Sequence, residues 1–151
     1  MPVFVHSRIC RVLIREIVVR RVIQQLLNLI GEGESEVSIE FVGDVRMRRL
    51  NRLYRKKDRT TDVLAFASRE AGGPPSPMLG DVVVSVPKAM RQAESLGHSI
   101  SEELARLLIH GILHLVGYDH ERSGQEARRM RRKEQALLAT LKPFPKLAVR
   151  T

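Results

Sequence analysis

The chain has 151 residues, 43% hydrophobic and 28% charged, a mixture that excludes a disordered polymer and suits one domain with a real core. No run approaches the roughly 20 apolar residues of a membrane span, and the single cysteine, Cys10, excludes an internal disulfide and a cysteine-based zinc cluster. A formal net charge of +9 attracts polyanions over a Debye length, which brings in nucleic acid or an anionic surface as a partner.

The N-terminal stretch MPVFVHSRICRVLIREIVVRR interleaves charged and apolar residues, with no separate apolar region followed by a small-residue cleavage site. It reads as structure in a bacterial-type cytoplasmic protein; Arg8, Arg11, Arg15, Arg20 and Arg21 keep an organellar transit peptide open as an alternative. From Val12 to Ile30 the residues Val12, Val19, Val22, Ile23, Leu26 and Ile30 recur at helical spacing, and Gly31 and Gly33 close the helix. Val37, Ile39 and Phe41 alternate with Ser38 and Glu40, the period of a strand, and Gly43 ends it. Asp44 can cap a helix from Val45 to about Tyr54, with Met47, Leu50 and Tyr54 on one face.

A strand over Asp62–Ala67, a loop at Gly72–Pro77 and an apolar strand over Leu79–Val86 follow. Pro87 suits the first turn of a helix ending at Gly97, and Ser101 with Glu103 and Leu104 opens the next, almost wholly apolar from Leu107 to Val116 and so buried on most sides. Gln125 to about Leu141 forms the last helix, and Pro143 and Pro145 break up a basic tail expected to be flexible from about residue 142. Strands alternating with helices predict an α/β architecture, a small mixed sheet packed with several helices, in a single domain spanning 1–151.

Within LLIHGILHLVGYDH, His110 and His114 are one helical turn apart, so both imidazoles leave the same face. Gly117 follows three residues later and can take the positive φ that turns the chain, letting His120 reach back. Three neutral imidazoles with a fourth position left over point to one catalytic zinc per chain, although nickel and other transition metals also accept imidazole. The spacing matches the extended zinc motif of metzincin proteases, but Gly111 stands where those enzymes carry the glutamate base, which argues against peptide hydrolysis.

Three blocks in order, LNRLYRKKDRTTDVLAF, LGDVVVSV and HGILHLVGYDH, resemble the YbeY family of endoribonucleases involved in ribosomal RNA maturation. The resemblance runs from roughly Val37 to Leu138. It implies a zinc-binding α/β fold and single-strand-specific RNA cleavage on the small ribosomal subunit. The metal ligands fall on His110, His114 and His120, and a functional arginine on Arg55. Lys56 stands where glycine is common in that family, Thr60 where proline is, and Ala65 where serine is, which bears on substrate preference more than on the metal site.

Arg46, Arg48, Arg49, Arg52, Arg55, Lys56, Lys57 and Arg59 make a basic segment broken only by Asp58. Arginine clamps phosphate through two donors and offsets charge growing on it, so Arg55 is the candidate catalytic residue. Arg52, Lys56, Lys57 and Arg59 are candidate RNA contacts, with a solvated face as the plain alternative. A second run, Arg128, Arg129, Arg131, Arg132 and Lys133, suits an exposed helix face or a ribosome contact. Two other functions compete: a non-catalytic ribosome-assembly factor with structural zinc, and a metalloprotease.

Overall fold

The computed structural model describes residues 3–7, 12–69, 76–119 and 123–150; Cys10, most of the Gly72–Pro77 loop and His120 lie outside them. In chain order the elements are β1 (Val3–Ser7), β2 (Val12–Ile14), α1 (Glu16–Leu29), β3 (Glu36–Val42), α2 (Asp44–Arg55), β4 (Val63–Ala67), β5 (Met78–Ser85), α3 (Val86–Leu96), α4 (Ile100–Leu115), α5 (Gly124–Thr140) and β6 (Ala148–Arg150). Four strands form a mixed sheet in the order β1-β3-β5-β4, parallel except for the antiparallel β4 edge. The α/β architecture expected from the alternation of periods is the observed one.

Both faces of the sheet are covered, because side chains alternate along β5. Val82 and Val84 join the main core with Leu104, Leu108, Ile109 and Ile112 of α4 and Ile23 and Leu27 of α1. Val83 faces the other way into a smaller cluster with Val42, Leu64 and Met47 of α2. Helix α4 is buried on most sides, as its apolar run predicts. Its one buried carboxylate, Glu103, is satisfied by His98 Nε2 at 2.7 Å and by Gln92 Nε2, also at 2.7 Å, which ties the end of α3 to α4.

Several boundaries differ from expectation, each for a local reason. Val12–Ile14 is a strand rather than the first turn of α1, because β6 pairs with it antiparallel, and Arg15 N–H donates to Leu147 O at 2.8 Å. The same pairing replaces the flexible tail expected from residue 142: Leu147 and Ala148 are buried, and Ala148–Arg150 is strand. Helix α4 is capped two residues earlier than expected, by Ser99, whose hydroxyl accepts from Glu102 N–H at 3.1 Å. Ser101 lies inside that helix, where its hydroxyl accepts from Leu147 N–H at 3.0 Å and holds the C-terminal segment down.

Asp44 does not cap α2; Gly43 occupies that position. Its carboxylate instead accepts from Arg91 at 3.1 and 3.2 Å, Ser85 at 3.2 Å and Thr60 at 3.3 Å. The start of α2, the end of β5, helix α3 and the α2–β4 loop therefore meet at one residue. The hydrogen bonds from Arg91 do most to hold the Asp44 carboxyl below its ordinary value, against a smaller opposing effect of burial.

Candidate active site

A cleft of about 720 Å³ opens between α4 and the α2–β4 segment. His110, Gly111, His114 and Asp119 come from the α4 side, and Tyr54, Arg55, Lys57, Arg59, Thr61 and Asp62 from the other, with β4 between them. The two walls are built differently.

The α4 wall is held close to the sheet by Gly111. A Cβ at this position would lie 2.6 Å from Val82 Cγ1 and 3.4 Å from Val63 Cγ2, closer to Val82 than packed carbons approach. The glycine is thus a contact requirement, and no glutamate fits where the protease motif needs its base. On the residue just before this glycine and the one three residues after it, the Nε2 atoms of His110 and His114 stand 3.2 Å apart, with ring centroids at 4.7 Å. Two nitrogens bound to one tetrahedral zinc at 2.0–2.1 Å would sit roughly 3.3 Å apart, so the pair fits a shared ion.

Helix α4 then stops in a manner that depends on Gly117. Its φ of +105° is in the left-handed region, Gly117 N–H donates to His114 O at 3.1 Å, and Tyr118 N–H donates to Leu113 O at 3.0 Å, the double hydrogen bond of a Schellman turn. The chain reverses immediately after the second histidine and brings Asp119 to the cleft. His120, the expected third ligand, lies outside the described residues, and among the described residues no group of three or more His, Cys, Asp or Glu side chains is placed to hold a metal.

The opposite wall is polar and exposed, and it is tied down from beneath. Asn51 is buried on α2, and its Nδ2 donates to Arg59 O at 2.9 Å while its own carbonyl accepts from Lys57 N–H at 3.3 Å. Lys56 takes a left-handed conformation, φ 57°, at the end of α2; a glycine-like geometry occurs at a lysine. Asp62 Oδ1 accepts from Val63 N–H at 2.8 Å and sets the start of β4.

Of the basic residues singled out in the sequence, the cleft gathers Arg55, Lys57 and Arg59 but not Arg52 or Lys56. Arg52 faces Asp58 at 3.9 Å, and Arg48 forks onto the same carboxylate at 2.9 and 3.1 Å. Tyr54, assigned by periodicity to the packed face of α2, is 66% exposed, its ring 5.0 Å from Phe66 in an edge-to-face pair at the cleft wall. A further residue escaped sequence reasoning: Glu134 of α5 places Oε1 3.5 Å from His110 Nδ1.

A family model for endoribonuclease YbeY matches residues 10–142. The chain belongs to the endoribonuclease YbeY family. The Endoribonuclease YbeY of Geobacter metallireducens is 48% identical over 125 residues, 81% of this chain and 83% of that protein. The Endoribonuclease YbeY of Pelotomaculum thermopropionicum is 46% identical over 150 residues, 93% of this chain and 97% of that protein. In fold the chain is similar to the solution structure of TM1509 from Thermotoga maritima, with a TM-score of 0.62 at 24% identity, covering 90% of this chain and 86% of that one. The part of the chain that the YbeY model matches includes both walls of the cleft.

Proposed function

We propose that the cleft is the centre of a single-strand-specific, metal-dependent endoribonuclease that matures and monitors small-subunit ribosomal RNA in the cytoplasm, with one zinc ion held by His110, His114 and His120. Membership of the YbeY family sets the reaction class, hydrolysis of RNA. The observation that carries the siting is the facing pair of imidazole Nε2 atoms, 3.2 Å apart, across the cleft from Arg55, Lys57 and Arg59. No described helix is long and apolar enough to cross a membrane.

Each wall has a separate task. Zinc bound by imidazoles supplies a Lewis acid and lowers the pKa of a bound water to about 7. The chain's own cations would orient the phosphodiester: Arg55, Lys57 and Arg59 line the cleft, where a guanidinium clamps phosphoryl oxygens through two donors and offsets their growing charge while the neighbouring cations draw in the flanking phosphates. The exposed Tyr54 ring offers a face to an unstacked base, which a duplex keeps inside its helix.

The direct test is cleavage of labelled single-stranded RNA by wild type, His114→Ala and Arg55→Ala proteins of known metal content. Loss of cleavage in both variants, with metal lost only from His114→Ala, is expected. No cleavage by the metal-loaded wild type would replace the nuclease centre with a binding-only role. RNA affinity is expected to fall steeply with salt through counterion release, and a flat response between 50 and 200 mM salt would remove the cationic wall from recognition.

A further inference from the structure

We propose that Glu134 is a positioning residue of the metal site, fixing which nitrogen of His110 carries the proton and so which one is presented to the ion. The inference rests on the metal-site reading above and adds a residue outside both cleft walls.

Glu134 interrupts an apolar stripe. On α5 the buried residues are Met130 and Leu137, and Leu141 just beyond the helix is buried too. Position 134 lies four residues after the first and three before the second, on the face turned inward. A carboxylate in such a stripe costs desolvation unless a polar partner meets it. The partner is across the α4–α5 contact: Glu134 Oε1 is 3.5 Å from His110 Nδ1, and both side chains are less than one-third exposed.

A neutral imidazole has one proton for two nitrogens, and the group that accepts it decides the tautomer. His110 Nε2 is 3.2 Å from His114 Nε2, so only one of these two atoms has room for a hydrogen between them. A carboxylate can only accept. At 3.5 Å the Glu134 carboxylate is within ion-pair range of Nδ1, and it favours the tautomer that carries the proton there and leaves the Nε2 lone pair facing the cleft, with His114 as the donor of the pair in the metal-free protein. Removing Glu134 lets the two histidines exchange these roles. A carboxylate behind a ligand histidine also raises its basicity and holds its ring plane.

The experiment compares wild type, Glu134→Ala and Glu134→Gln as full-length folded proteins, with folding checked by circular dichroism. In the metal-free proteins, imidazole nitrogen NMR at about pH 8, above the ordinary histidine pKa, is expected to show His110 as the Nδ1–H tautomer in wild type. Glu134→Ala is expected to give a mixture, and Glu134→Gln, whose amide oxygen still accepts, largely the wild-type tautomer. Zinc affinity by chelator competition is expected to fall about 10–100-fold in Glu134→Ala and less in Glu134→Gln. An unchanged tautomer together with zinc affinity within twofold of wild type in Glu134→Ala overturns the proposal and leaves the metal site standing. Zinc binding by wild type no tighter than by a His114→Ala control overturns the metal-site reading itself. Should Glu134→Ala fail to fold, the Glu134→Gln protein decides: a His110 tautomer matching wild type supports the proposal and a different one sinks it.

Discussion

The two walls of the cleft rely on opposite physical devices. On α4 the histidines are carried by a helix buried on most sides and pressed onto the sheet at a glycine, so packing fixes their positions to within the tolerance of an ion. On the α2–β4 side the cations are exposed, and what fixes the loop that carries them is a small set of hydrogen bonds: Asn51 Nδ2 donates to Arg59 O beneath it, and the Thr60 hydroxyl donates to the Asp44 carboxylate beside it. A metal ligand tolerates little displacement, whereas a phosphate contact works over a longer and softer range. One site is thus rigid where chemistry demands it and adjustable where a polymer has to thread.

The rigid wall is most vulnerable at Gly111. Gly111→Ala forces a Cβ into Val82 and should cost about 1–3 kcal/mol by overpacking, with zinc affinity falling in parallel because α4 must lift; a Gly111→Ala, Val82→Ala double variant should recover most of both. Thermal melts with chelator titrations check this, and unchanged zinc binding in the single variant would mean that α4 does not need the sheet contact. Asn51→Ala removes a buried donor and should cost about 1–2 kcal/mol. Its signature is a raised KM for RNA with unchanged metal content, since only the softer wall loosens.

Asp44 makes the softer wall sensitive to pH. Its folded pKa is lowered, chiefly by hydrogen bonds from Arg91, so it adds stability above the unfolded carboxyl value and loses it as pH falls through the folded one. Urea midpoints should therefore drop for wild type below about pH 4. Asp44→Asn should be less stable at pH 7 and show a shallower acid decline; parallel curves for the two proteins would remove Asp44 from acid sensitivity. The smallest effect has the opposite sign: Lys56→Gly relaxes a left-handed residue and should stabilise by up to about 1 kcal/mol, measured by denaturant midpoint.

Much of this arrangement was legible from periods of two and 3.6, and the histidine spacing with Gly117 foretold the shared face and the turn after it. What escaped was non-local. Val12-Leu13-Ile14 is too short to display a strand period and runs into the helical pattern of α1, so only its distant partner, β6, reveals it. Ser101 is the expected opening of α4, but Ser99 caps it, and the Ser101 hydroxyl instead accepts from the distant Leu147 N–H, a partner that no local pattern reveals. Glu134 had a readable signal, a carboxylate between Met130 and Leu137, but its partner sits on another helix.

The pairing of β2 with β6 has a consequence for the order of assembly. Its partners, Val12 with Arg150 and Ile14 with Ala148, stand more than a hundred residues apart. During synthesis the early strand must wait, with Val12 and Ile14 uncovered, until residues 148–150 have left the exit tunnel. Closure of that ribbon is therefore a late event, a latch thrown after the sheet and α4 have been made, and the interval before it is when the nascent chain is most open to mispairing.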